Sequence, residues 1–224
     1  MAAPAASSRK TAARRPLRDS ERTQAAILAA ATDEFARHGL GGARVDRIAL
    51  RARTNKRMLY YYFGSKDGLF LAVLEATYAR IRSAEQALSL LDVAPEEAIG
   101  RLVRFTWEYY LAHPEFLSLL NSENLHRASH LRRSGEVRSM NSPVIETLGE
   151  VLARGVRAGV FRKGVDPLQL YISIAALSYF YLGNNHTLTA VFGRDLATPR
   201  ARRERLAHMT DLVQGYLRAE PRPP

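Results

Sequence analysis

The sequence predicts an all-α protein of about nine helices, a small head of three helices followed by a larger helical body. Three observations carry that prediction. Apolar residues recur at three- and four-residue spacing along most of the chain, and no period-2 run bounded by hairpin turns interrupts them. Prolines at positions 95, 114, 143, 167 and 199 each head a new apolar-periodic run, as a first-turn proline does. The chain has 224 residues, 46% of them hydrophobic, enough for one or two domains at roughly 150 residues each.

Residues 1 to 18 are Ala-, Ser- and Arg-rich with few large apolar side chains, and read as a disordered basic arm. They lack the continuous apolar core of a signal peptide, although their composition is also that of an organellar transit peptide. Order is expected from Ser20, an N-cap with Glu21 in the first turn. Ile27, Ala31 and Phe35 then mark one helical face as far as His38-Gly39.

A short second helix follows over 45–52, with Val45, Ile48 and Ala49 on one side. Residues 53 to 55 break it. Asn55 can cap a third helix over 56–63, whose Leu59 and Phe63 share a face; Gly64 ends it and Ser65 caps the next. Leu69, Phe70, Val73, Leu74, Ala84, Leu88 and Leu91 then spell out a long fourth helix. In the body, Asp166-Pro167-Leu168-Gln169 is a strong helix start. The segment 170–182, LYISIAALSYFYL, is apolar nearly all round and needs cover on two sides. The last helix, 198–218, carries Leu206, Met209, Val213 and Leu217 as a stripe that fits either internal core or a dimer seam, the seam being favoured because paired half-sites need paired heads.

The formal charge of +11 is unevenly placed. Residues 1–66 hold 14 Lys/Arg against 5 Asp/Glu, a net +9, whereas the other 158 residues hold 19 against 17, a net +2. Such segregation points to a polyanionic partner for the N-terminal third. Helix, turn, short helix, tight turn, short helix is the layout of a helix-turn-helix DNA-binding domain, whose second short helix lies in the major groove. A basic membrane-surface segment would need one long amphipathic basic helix, which the region lacks. No cysteine is present, so thiolate metal sites and disulfides are excluded and a reducing, cytoplasmic setting is expected. The longest apolar run, near 168–182, is shorter than the ~20 residues a bilayer needs, so no membrane span is expected.

The stretch RVDRIALRARTNKRMLYYYFGSKDGLF, 44–70, resembles the DNA-binding signature of the tetracycline-repressor (TetR) family, through Ile48, Ala49, Ala52, Leu59, Tyr60, Phe63, Ser65, Lys66 and Leu69. The resemblance implies that Tyr60 and Lys66 contact backbone phosphates, and that Thr54, Asn55, Lys56, Arg57 and Tyr61 reach bases or phosphates. Asn55 reads equally well as a helix cap, and Tyr62 as packing against the first helix. Three positions depart from the family pattern: Arg53 replaces the turn glycine, Thr54 an apolar residue, and Arg44 the usual Ser/Thr cap of the second helix. A positive φ at Arg53 costs roughly 1 kcal/mol. Arg44 forgoes a cap bond worth about 1 kcal/mol, and can instead grip phosphate. Arg9, Lys10, Arg14, Arg15 and Arg18 of the arm can follow the minor groove or add nonspecific affinity.

The resemblance further implies a body, 67–224, that binds a small effector and forms a homodimer, behind a head at 19–66. Trp107, Tyr110, Asn121 and Asn124 stand out in the 105–127 stretch as pocket candidates, rings beside polar heads suited to a planar or aromatic molecule. Ordinary core and a solvated face account for the same residues. His126 and His130 lack an acidic companion with metal-ligand spacing, so no metal or cofactor is expected. The expected function is a ligand-responsive regulator, a repressor on a pseudo-palindromic operator, released by a small molecule. The alternative is a ligand-independent architectural DNA-binding protein. An enzyme is disfavoured, because no phosphate loop, nucleophile elbow or paired metal motif occurs.

Overall fold

The structure is a computed structural model that describes residues 14–219, excepting the side chains of 14–18, 141 and 142. The described residues form ten α-helices and two 3-10 turns, with an isolated bridge between Phe161 and Arg218 and no strand. In chain order the helices are α1 (Arg14–Gly42), α2 (Val45–Arg51), α3 (Lys56–Phe63), α4 (Lys66–Gln86) and α5 (Pro95–Ala112). They continue as α6 (Pro114–Leu125), α7 (Gly135–Arg157), α8 (Pro167–Gly183), α9 (Asn185–Phe192) and α10 (Pro199–Leu217).

Four expectations about helix bounds and number change. α1 begins at Arg14, ahead of Ser20, because its Arg and Leu are good helix formers and Pro16 falls in the first turn, where its missing N–H is harmless. Arg9 and Lys10 lie outside the described residues. Pro143 lies inside α7 instead of heading it: Ser134 caps that helix, its Oγ accepting from Val137 N at 3.1 Å, and the proline merely removes one interior hydrogen bond. α4 stops at Gln86, leaving Leu88 outside it and Leu91 in a 3-10 turn (Leu90–Asp92). α9 makes the tenth helix, a short one hidden from sequence reading behind the Asn184-Asn185 break signal.

The chain gathers into two compact units, Met1–Leu74 with Ser118–Arg133, and Glu75–Leu117 with Ser134–Pro224. The core of the first is built from Ile27, Ala31 and Phe35 of α1, Ile48 and Ala49 of α2, Leu59 of α3, Leu69, Phe70 and Val73 of α4, and Leu119 of α6. Phe35 and Phe70 meet edge to face, centroids 5.0 Å apart. Residues 118–133, which the sequence places with the body, are tied in through Glu123. Its buried carboxylate accepts from the backbone N–H groups of His130 (2.8 Å) and Leu131 (2.9 Å). The His130 ring lies 2.7 Å from the same carboxylate and edge-on to Phe70.

The second unit is organised around α5, whose Ala98, Ile99, Leu102, Val103 and Trp107 pack against α7, α8 and α10. Met209, Val213 and Leu217 are buried in this core, so the α10 stripe expected as a dimer seam is internal. The reason is that α10 carries a second apolar face: Leu212 and Tyr216 remain nearly half exposed. α8, expected to be covered on two sides, is covered on one. Leu170, Ile174 and Ser178 are buried, while Leu168, Ile172 and Phe180 face outward.

Candidate nucleic-acid interface

In the head, α2 and α3 are linked by a four-residue turn, 52–55, of unusual backbone. Arg53 adopts φ 52°, the left-handed conformation that glycine takes without strain, and Thr54 N donates to Ala49 O at 3.0 Å to close the turn. α3 then starts at Asn55, whose Oδ1 accepts from Met58 N at 3.1 Å. The cap role of Asn55 is therefore met while its side chain remains exposed. Leu59 is the buried anchor of α3. Around it, Lys56, Arg57, Tyr60 and Tyr61 are exposed, Tyr61 most among the tyrosines at 76%. Tyr62 turns inward: its hydroxyl accepts from Ser20 Oγ at 3.2 Å on α1, and its ring meets Tyr61 edge to face.

Gly64, at φ 72°, ends α3, and its N–H donates to Tyr60 O. Ser65 caps α4, accepting from Gly68 N at 2.9 Å. Lys66, the first residue of α4, lays its Nζ 3.4 Å from Gly41 O. A Cβ at Gly68 would stand 2.2 Å from Phe63 O, so the close pass of α4 under the end of α3 requires glycine there.

Arg44 occupies the cap position of α2 without a side-chain cap bond. Its guanidinium is 62% exposed and reaches Asp46 at 3.6 Å. The task of holding this turn falls to Glu34 of α1, a buried carboxylate that accepts from Arg44 N at 3.1 Å and lies 3.7 Å from Arg47 Nη1. No local pattern points to Glu34, since the contact spans ten residues of sequence and depends on how α1 meets α2. Lys56 pairs with Asp46, and this hydrogen bond, with Arg44 nearby, holds the Asp46 carboxyl below its usual range. Asp46 thereby steers both cations on the same surface.

Arg44, Asn55, Lys56, Arg57, Tyr60 and Tyr61 are thus brought together as exposed groups on α2, the turn and α3, with Thr54 half-buried in the turn and Lys66 half-buried at the adjoining start of α4. Arginines 47 and 51 of α2 add two exposed cations, Arg51 within 3.5 Å of Asp33. Of the four effector candidates, Trp107 and Tyr110 are buried in the second unit, Trp107 edge-on to Tyr181 and Tyr110 stacked on Phe116. Asn121 and Asn124 are exposed on the first unit.

A short capped helix with an apolar anchor inside and cations and phenols outside defines a helix-turn-helix nucleic-acid-binding protein. Residues 27–73 match the family of bacterial regulatory proteins, tetR family, and residues 95–213 match the tetracyclin repressor-like C-terminal domain. The HTH-type transcriptional repressor NicS of Pseudomonas putida is 40% identical over 210 residues, covering 94% of this chain and 98% of that protein. The HTH-type transcriptional regulator RutR of Escherichia coli is 30% identical over 177 residues, 76% of this chain and 79% of that protein. The crystal structure of the putative transcriptional regulator SCO4942 from Streptomyces coelicolor superposes with a TM-score of 0.65 at 27% identity, over 90% of this chain and 99% of that one. The chain belongs to the TetR family: it is a DNA-binding transcriptional regulator and not an enzyme. Among the described residues no helix is long and apolar enough to cross a membrane.

Proposed function

We propose that the protein is a cytoplasmic repressor that binds a pseudo-palindromic operator as a homodimer and is released by a small molecule acting on its second unit. The observation that carries the DNA reading is the exposed set on α3, Lys56, Arg57, Tyr60 and Tyr61, around a buried Leu59. In this reading α3 enters the major groove. Tyr60, Lys66 and Arg44 hold phosphates, and Thr54, Asn55, Lys56, Arg57 and Tyr61 meet bases or phosphates. Functionally the head is 19–66 and the body 67–224.

The homodimer reading is supported by the outward faces of α8 and α10. Leu168, Ile172 and Phe180 follow four-residue steps or multiples of them, as do Leu212 and Tyr216, and each is 46–57% exposed in the single chain. A second copy covering both faces would give a dimer with two heads, the number that paired half-sites require. Trp107 and Tyr110, buried in the second unit, are the aromatic side chains this reading assigns to the effector. The test is a footprint on the promoter nearest its own gene together with sedimentation of the protein alone. Two symmetric protected half-sites and a dimer support the reading; a single asymmetric site bound by a monomer refutes it.

A further inference from the structure

The second unit contains a polar cluster that packing alone does not explain. A cavity of about 290 Å³ lies between the end of α4, the Leu90–Asp92 turn and the first half of α7. Its apolar wall comes from Leu90, Leu91, Met140, Pro143 and Val144. That volume is close to the lower end of the roughly 300–1,000 Å³ typical of small-molecule sites, which suits a compact ligand.

The polar wall is Arg82 and Glu85, 6% and 5% exposed. Arg82 Nη1 stands 2.5 Å from Glu85 Oε2, Arg82 Nη2 donates to the Tyr171 hydroxyl at 2.6 Å, and that hydroxyl donates to Glu85 Oε1 at 3.2 Å. Close as the ions are, their alignment is poor. Among the described residues no group completes a hydrogen bond with Arg82 Nε, Arg82 Nη1 or Glu85 Oε2. Buried donors left in this state cost about 1–3 kcal/mol each, and a structural Arg–carboxylate pair ordinarily uses the two-pronged arrangement this one lacks.

Burial pushes the Glu85 carboxyl up to about 7, against the opposing pull of Arg82 and the Tyr171 hydroxyl. Tyr171 from α8 and Tyr110 from α5 also feel this charge, and burial drives both phenols far above their ordinary range, so they stay neutral. Asp92 completes the acidic groups on the cavity wall. Near neutrality the guanidinium therefore faces a counterion that is only partly ionised.

We propose that this cavity takes a small organic monocarboxylate with an apolar body, whose carboxylate pairs with the unused donors of Arg82 while the ionised fraction of Glu85 takes up a proton from solvent. The chain thereby exchanges an internal, reluctant counterion for a stronger one brought by the ligand, and the apolar wall receives the ligand's body. This rests on the reading that a small molecule acts on the second unit, but binding is scored without DNA.

The experiment is titration calorimetry of the full chain with benzoate and hexanoate, and with benzamide and hexanamide as neutral partners, at pH 6 and pH 8. At least one acid is expected to bind tenfold or more tightly than its amide, more tightly at pH 6 than at pH 8, with proton uptake. Glu85→Gln is expected to tighten acid binding at pH 8 and flatten its pH dependence, and Arg82→Met to weaken it at least tenfold. Equal binding of acids and amides, no binding of either acid, or weaker acid binding by Glu85→Gln would overturn the proposal. Should Arg82→Met fail to fold, the amide comparison and Glu85→Gln still decide. An acid that binds without changing operator affinity refutes the ligand-release reading alone; intact operator binding with no acid binding refutes this site alone.

Discussion

Replacing Gly68 with alanine is the sharpest test of how the head is held together. The added Cβ would stand 2.2 Å from Phe63 O, roughly 1 Å inside an ordinary contact, and 3.4 Å from both the Phe63 carbonyl carbon and Ser65 Oγ. The oxygen cannot rotate away, because it belongs to the last residue of α3 and accepts from Ser65 N at 2.7 Å. Relief therefore requires α3 to shift against α4. Overpacking of this kind costs about 3 kcal/mol at the upper end of its usual range, and alanine's higher helix propensity returns at most about 1 kcal/mol. The net expectation is a loss of about 2 kcal/mol, or about 4–8 °C in Tm for a protein of this size. Gly100→Ala in α5 serves as the control, since its Cβ would meet only Gln214 Nε2 at 3.6 Å, and it should hold or gain stability. Denaturant midpoints at constant m-value measure both. Gly68→Ala as stable as the parent, with unchanged operator affinity, would refute the packing argument for α3 and α4.

Other outcomes follow from the same structure. Arg44→Ser should leave the fold intact, because Glu34 continues to hold the turn through the backbone, while operator binding weakens and its log–log salt slope falls by about one contact; an unchanged slope removes Arg44 from the phosphate set. Glu85 binds its proton more tightly folded, at about 7, than unfolded, near 4.5, so its stabilising contribution is full below pH 4.5 and is lost as pH rises through 7. Relative to Glu85→Gln, the parent should lose up to about 3 kcal/mol between pH 5 and pH 8, read from melting curves, and a pH-independent difference contradicts the buried-carboxyl account. Ile172→Glu should place a charge on the outward face of α8 and shift sedimentation toward monomer with little change in helicity, whereas an unchanged dimer moves the interface elsewhere.

Much of the head is legible in the sequence because its signals are local. Asn55 and Ser65 are caps that act within three residues, and Gly64 ends a helix by its own backbone freedom. The strain inferred at Arg53 from the missing turn glycine is present as φ 52°. What escaped sequence reading depends on distant partners. Glu34 holds Arg44 across ten residues, and Glu123 binds the backbone of His130 and Leu131 through a turn that no periodicity describes. The polar cluster of the second unit joins Arg82 and Glu85 to Tyr171, which is 86 residues beyond Glu85. The α10 stripe misled because an apolar face at helical spacing identifies burial without naming what buries it. Met209, Val213 and Leu217 satisfy the pattern inside the protein, and Leu212 and Tyr216 carry the outward face.

The most direct measurement of the central claim is competition binding of the full chain to fragments of its own genome against random duplex, repeated over a range of salt concentrations. The account predicts one or a few fragments bound well above the competitor, protected in two half-sites centred about 34 Å apart, with affinity falling steeply as salt rises. Uniform affinity for every fragment, or tight binding indifferent to salt, would contradict it.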